Sequence, residues 1–145
     1  PDLTSISAAS PYLTNKEIAL LGLRAVDSSE KDFLSQQHIL HYPMKEIREQ
    51  GMSAVMTELV SKFVQGFDAI HISFDIDGID PHYAPGVSTP VGGGLQRKDV
   101  EIALQVLART KKISSIEFVE LNPLKDIDHK TALLAIQLIQ TALGQ

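Results

Sequence analysis

Short apolar runs alternate with amphipathic ones along most of the chain. "IALLGLR" (residues 18–24) is apolar and closed by turn-prone residues, which predicts a buried strand. In "AVDSSEKDFLSQQ" Asp27 or Ser28 stands at a helix N-cap, with acids in the first turn and Phe33 and Leu34 behind them. "ILHYPM" predicts a second short strand that stops at Pro43. In "MKEIREQGMSAVMTELVSKFVQG" Met44, Ile47, Val55, Met56, Leu59, Val60 and Phe63 fall at helical spacing, and Gly51 divides the segment into two helices. "FDAIHISFDID" (residues 67–77) is near-continuously apolar, as in the middle of a parallel sheet buried on both faces. A long loop, "GIDPHYAPGVSTPVGGGL", follows, and loops of that length in compact domains are usually functional. "QRKDVEIALQVLART" is an amphipathic helix. "ISSIEFVELNP" is a fourth strand stopped by Pro123. "DHKTALLAIQLIQTALG" is the last helix, with Asp128 as N-cap and Gly144 just past its end.

Strands alternating with helices mean βαβ crossovers, hence an α/β fold with a mostly parallel sheet and helices on both faces. The expectation is one domain over residues 1–145, with a loop-like N-terminal segment over residues 1–17. A domain that opens in a loop is expected to be part of a longer chain. The 145 residues suffice for a real core. A net charge of −5 gives no basic footprint for nucleic acid and no polybasic membrane patch. No apolar run reaches the roughly 18 residues of a membrane span. The chain has no cysteine, which rules out disulfides and thiolate zinc sites and fits a reducing, cytoplasmic setting.

The third strand ends in carboxylates, Asp75 and Asp77, followed by Asp80 before a proline. Ligands of such sheets bind at the carboxyl ends of the strands. Strand alternation turns Asp75 and Asp77 the same way. Like charges so placed repel unless a cation or proton lies between them. Oxygen donors favour hard cations such as Mg²⁺ or Mn²⁺, and a pair of such ions roughly 3.5–4 Å apart activates water. The alternative is turn chemistry, with Asp80 capping and Asp77 bonding backbone N–H groups; for Asp80 that structural role is preferred. "PVGGGL" lacks phosphate-loop spacing and reads as a tight turn.

Glu120 sits at the carboxyl end of the fourth strand, in the same crevice, with Glu117 on or near that strand. A carboxylate there suits a guanidinium, which it binds bidentately, or else a salt bridge to the chain's own Arg or Lys. Asp27 and Glu30 follow the first strand, where helix capping and a binding role are compatible. The five histidines make no ligand pattern. His71 lies roughly 13 Å along the strand from Asp75, His38, His41 and His129 read as surface or loop residues, and His82 is a loop residue.

"SFDIDGIDPHYAPGVSTPVGGGL" strongly resembles the signature of the ureohydrolases, the family of arginase, agmatinase and relatives. "LLGLRAVDSSE" upstream and "EFVELNP…DHKTALLAIQLIQTALG" downstream look more like bacterial arginases than agmatinases. The resemblance runs from about residue 18 to residue 144. It implies a three-layer α/β/α sandwich, two Mn²⁺ ions and hydrolysis of the guanidino group of L-arginine to ornithine and urea. By resemblance Asp75 bridges the ions, Asp77 completes the second and relays a proton, and Glu120 holds the guanidinium. Thr89 lines the pocket, and Asp27 with Glu30 reads the α-amino group. The family implies a trimer or hexamer.

Ala25 departs from the family pattern, where many arginases carry another aspartate. The family's GGDH-type and DAHxD-type ligand segments and its pocket histidine loop do not occur in this sequence. An octahedral ion needs about six ligands, so two aspartates cannot hold a binuclear site. The chain thus looks like the C-terminal half of an arginase, expected to be inactive alone and to self-associate through an exposed sheet edge. Three rivals stand: another guanidino-substrate ureohydrolase, a Mg²⁺-dependent phosphatase of the D-x-D type, and a metal-free, non-catalytic domain. Against the phosphatase, Ile79 stands where that motif has Thr.

Overall fold

The computed structural model describes residues 13–145. Residues 1–12, most of the segment expected as loop, lie outside them. The remainder of that segment holds one 3-10 turn, Asn15–Glu17, whose Glu17 carboxylate accepts from the Thr14 N–H. The elements that follow are β1 (Ala19–Leu23), α1 (Ser28–Gln36), β2 (Leu40–Pro43), α2 (Met44–Gln50), α3 (Met52–Lys62), β3 (Ile70–Asp75), α4 (Arg97–Thr110), β4 (Ile113–Val119) and α5 (Lys130–Ala142). Each coincides with a segment that the apolar pattern predicts.

All pairing between these strands is parallel. β1 pairs with β2 and β3 with β4, so the described residues hold two two-stranded ladders rather than one continuous sheet. Alternation along β1 sends Ala19 and Leu21 to the main core and Leu20 to a cleft with Phe33 and Leu34 of α1, which Leu23 joins beyond the register shift between Leu21 and Leu23. Helices therefore flank both faces of this pair. β3 differs from the expected strand buried on both faces. Ile70, Ile72 and Phe74 pack on the core, but His71, Ser73 and Asp75 are exposed. The exposed residues are the polar ones, so the run is continuous only across its apolar members. β4 follows suit, with Ile116 and Phe118 inward and Ser115, Glu117 and Val119 outward.

The core lies between the ladders and α2–α5. Tyr42, Val55, Met56, Ile76, Ile79, Leu104 and Leu138 are its most deeply buried large side chains. Phe74 of β3 meets Phe118 of β4 with ring centroids 5.0 Å apart, a favourable tilted contact. Gly51, at φ 83°, adopts a backbone few other residues tolerate and separates α2 from α3.

Helix starts follow local chemistry. Asp27 caps α1, its carboxylate accepting from the Glu30 N–H at 2.8 Å, and Glu30 returns the bond to the Asp27 N–H at 3.0 Å. The expected cap of α5 is corrected. Asp128 and His129 are left-handed, at φ 51° and 57°, and His129 at the cap position makes no side-chain bond. Asp126 caps from further upstream, accepting from Thr131 N–H at 2.9 Å and Ala132 N–H at 3.0 Å. Gly144, at φ 77°, sits past the helix end as expected.

The long loop is closed at its base. Ile79 bridges Leu95, Asp80 N–H donates to Leu95 C=O at 2.9 Å, and Leu95 N–H to Gly78 C=O at 3.0 Å. Inside it, the Asp80 carboxylate accepts from His82 N–H at 2.9 Å and Gly93 N–H at 2.7 Å. The structural role expected of Asp80 is what the geometry displays. The glycine run is a tight turn: a Cβ on Gly94 would lie 2.6 Å from the Asp80 backbone nitrogen.

Two outcomes follow. Gly94→Ala pushes two backbone segments apart at the loop base, and its expected cost is about 1–3 kcal/mol or more, read as a lower urea midpoint with an unchanged m-value. The His82 amide, with Gly93 behind it, holds the Asp80 carboxyl below the usual aspartate range, against a smaller opposing effect of burial. A depressed folded pKa gives stability that is complete above the unfolded value, about 4, and lost as pH falls through the folded one. Asp80→Asn should thus be less stable at pH 7 and show a flatter loss below pH 4 in urea unfolding. Equal slopes for the two proteins would remove Asp80 from this role.

Candidate functional site

Parallel pairing brings the ends of β3 and β4 together, with Asp75 opposite Val119 in register. Asp75 is the last residue of β3. The chain then enters a 3-10 turn, Ile76–Gly78, rather than continuing as strand. Strand alternation is therefore not what aligns Asp77 with Asp75. Ile76 is buried, and Asp75 Oδ1 accepts the Asp77 N–H at 2.9 Å, which folds the turn back on the strand end. The turn chemistry belongs to Asp75 rather than to the Asp77 carboxylate expected to bond backbone N–H, and it brings the two carboxylates to one strand end.

Glu120 is the first residue after β4 and takes φ 66°. That left-handed backbone is uncommon for a residue with a side chain. Immediately beyond it Leu121 bridges Val87, and Asn122 N–H donates to Gly86 C=O at 2.8 Å. The reversal stitches the end of β4 to the long loop. Asn122 Nδ2 also reaches Ser88 Oγ at 3.1 Å. The adjoining Thr89 donates its hydroxyl to Asp77 Oδ2 at 2.7 Å. Asp75, Asp77, Thr89 and Glu120 therefore share one strand-end crevice.

The electrostatics show the crowding. Asp75 is exposed as a residue, but partial burial of its carboxyl pushes it above the usual aspartate range, and the negative charges of Asp77 and Glu120 push it the same way, against the pull of the Asp77 N–H. Glu120 takes part in none of the ion pairs among the described residues, so the salt-bridge alternative has no partner there.

Asp27 and Glu30 are not drawn into this cluster. Both are exposed and engaged in the α1 capping box, where Asp27 Oδ1 also accepts from Ser29 Oγ at 2.7 Å. A third polar group lies on the open face of β3–β4. Ser73 Oγ donates to Glu117 Oε1 at 2.7 Å, and His71 Nδ1 lies 2.8 Å from Ser115 Oγ. His41 is corrected from a surface residue to a half-buried one on β2, its Nδ1 2.8 Å from Ile39 C=O. Asp126 and Thr131 are the residues that sequence reasoning missed. Thr131 is fully buried and accepts the Gly86 N–H at 2.7 Å, tying α5 to the loop. The "D-x-D-H-K-T" order held the signal, obscured by the nearer Asp128.

The donors in the crevice are carboxylate and hydroxyl oxygens, which suit a hard cation such as Mn²⁺. They do not complete a site. Among the described residues no group of three or more His, Asp or Glu is placed to hold a metal ion. The fit is that of a partial ligand set.

Residues 4–144 match the model of the Arginase family. The arginase of Bacillus caldovelox is 40% identical over 145 residues, which cover all of this chain and 48% of that protein. The arginase of Brevibacillus brevis is 35% identical, over 98% of this chain and 48% of the relative. The solved structure of the Bacillus caldovelox arginase superposes with a TM-score of 0.94, over 100% of this chain and 48% of that one. The arginase of Entamoeba histolytica in complex with L-ornithine superposes at 0.85 with 34% identity, over 92% of this chain and 45% of that one. The chain spans about half the length of the relatives it matches, and its α/β architecture is that of half an arginase fold. With the ureohydrolase signature at the ends of β3 and β4 and this match along nearly its whole length, the chain belongs to the Arginase family.

Proposed function

We propose that this chain carries one side of a ureohydrolase site that hydrolyses the guanidino group of L-arginine to ornithine and urea. The observation that carries the reading is the convergence of Asp75, Asp77 and Glu120 at two adjacent parallel strand ends, where no cation of the described residues pairs with Glu120. Asp75 and Asp77 would hold Mn²⁺, with the remaining ligands coming from segments this chain does not contain. A manganese pair, when bound there, would supply a water acidic enough to be a nucleophile near neutral pH.

The chain's own residues have separable tasks. Glu120 presents two oxygens to a planar guanidinium and fixes its carbon for attack. The Thr89 hydroxyl holds Asp77 Oδ2 and thereby orients that carboxylate. Asp77 accepts the proton released on attack and passes it to the leaving amine. The exposed Asp27 and Glu30 stand at the carboxyl end of β1, where they would meet the α-amino group of an amino-acid substrate, and the absence of an acid at residue 25 leaves that contact with them alone. The Entamoeba histolytica relative solved with L-ornithine supports an amino-acid substrate rather than a bare amine. The incomplete ligand set supports the further reading that the chain alone does not turn over. By the same reasoning the open face and edge of β3–β4 favour association with further chain, in a homo-oligomer or with a complementary half.

A urea-release assay tests these roles. The chain with Mn²⁺ and L-arginine should give no urea above background. Adding the N-terminal half of the Bacillus caldovelox arginase should restore release. In that mixture Asp75→Asn, Asp77→Asn or Glu120→Gln should each cost roughly a hundredfold or more in rate. Robust turnover by the chain alone would refute the half-site, and an unimpaired Glu120→Gln mixture would refute guanidinium binding there.

A further inference from the structure

Arg24 is the residue directly after β1, three positions before the α1 cap. Its half-buried guanidinium pairs with no carboxylate among the described residues. Its partners are backbone carbonyls instead. Nη2 donates to Asp77 C=O at 2.6 Å and to Val91 C=O at 3.1 Å, and Nε reaches Val91 C=O at 3.3 Å. One side chain thus grips both ends of the segment that contains Thr89.

The consequence for Asp77 is specific. Its N–H is held by Asp75, its C=O by Arg24 and its Oδ2 by Thr89. Three of its polar groups are fixed from three different parts of the chain. Other cations also touch the loop: Lys125 donates to Ser88 C=O at 2.9 Å, Arg48 to Gly93 C=O and Lys130 to His82 C=O. Arg24 differs from them by binding the carboxylate turn itself. A planar fork holds its donors in a fixed geometry; a lysine ammonium can also serve several carbonyls, as Lys112 does for those of Val64, Gln65 and Phe67, but from a point charge on a flexible stem of different length. Its charge works against a dication nearby, so geometry is what it contributes.

We propose that Arg24 is a positioning residue that clamps the Asp77 and Val91 carbonyls to the end of β1 and so holds the Asp77 carboxylate and the Thr89 hydroxyl in register. The proposal rests on the reading of Asp75 and Asp77 as cation ligands, and its test separates the two. Hydrogen exchange is followed by mass spectrometry in the chain and in its Arg24→Lys and Arg24→Met variants, alongside Mn²⁺ titration read by electron paramagnetic resonance. In Arg24→Met, protection at Asp77, Gly93 and Leu95 amides should fall about tenfold or more, while α4 and β4 keep theirs. Arg24→Lys should recover little of it. Mn²⁺ binding should weaken about tenfold in both variants. Unchanged loop protection in Arg24→Met would overturn the proposal. So would a loss spread equally over α4 and β4, full recovery by lysine, or tighter Mn²⁺ binding in Arg24→Met. If the unsubstituted chain takes up no Mn²⁺, the titration is repeated in the mixture with the N-terminal half of the Bacillus caldovelox arginase; no uptake there refutes the cation reading, and the exchange data alone then decide whether Arg24 clamps the loop.

Discussion

The parallel pairing of β3 with β4 is the constraint on which the crevice depends. Two strands that run the same way end on the same side, so residues far apart in sequence finish as neighbours. That pairing brings Asp75 and Glu120 to the same end of the ladder. The pairing is secured from below by Ile70, Ile72 and Phe74 against Ile116 and Phe118, which bury one face of the ladder. Apolar burial on one face therefore holds three carboxylates together on the other side of the strand ends, against their repulsion. Burial raises the Asp75 carboxyl, and the charges of Asp77 and Glu120 add to that shift.

How the loop keeps its shape is a separate matter. Between Gly78 and Gln96 it contains little regular structure, so its backbone polar groups need other partners. Several are cationic side chains from outside: Arg24 after β1, Arg48 on α2, Lys125 before α5 and Lys130 at its start. Each donates to a carbonyl. Such bonds tie the loop to elements that are themselves rigid, without a carboxylate that would add negative charge to an already acidic crevice. Asp80 and Asp126 work in the opposite sense, accepting backbone N–H groups and turning the chain at the loop base and at the start of α5.

Much of this was legible in the sequence. Apolar periodicity placed the strands and helices, because each buries one definite face. The meeting of Asp75 and Glu120 followed from strand ends, and Gly51 and Gly144 marked real breaks. What periodicity could not convey was tertiary. The run in β3 looked buried on both faces, yet its alternate residues are polar and exposed. Asp77 was assigned by strand alternation, whereas a backbone hydrogen bond within a turn sets its position. The cap of α5 went to the nearest acid, Asp128, because the left-handed residues that disqualify it have no sequence signature. Arg24 gave no sign of its role, since its acceptors are carbonyls and every residue has one.

Glu120 shows how these levels join. A left-handed residue bearing a side chain costs on the order of 1 kcal/mol, and glycine would avoid it. The chain must nevertheless reverse at this point, since Leu121 and Asn122 pair back with Val87 and Gly86. Glycine would satisfy that geometry and leave the crevice without its third carboxylate. The turn imposes the left-handed backbone at Glu120, and the carboxylate explains why a side chain rather than glycine stands there. On the reading proposed here the side chain is the guanidinium's partner, and the pairing with the loop that imposes the strain also carries Thr89 to Asp77. Relieving the strain by freeing the reversal would release the loop as well. The same few hydrogen bonds thus fix the position of Glu120 and the orientation of Asp77, so the two carboxylates are not independently adjustable.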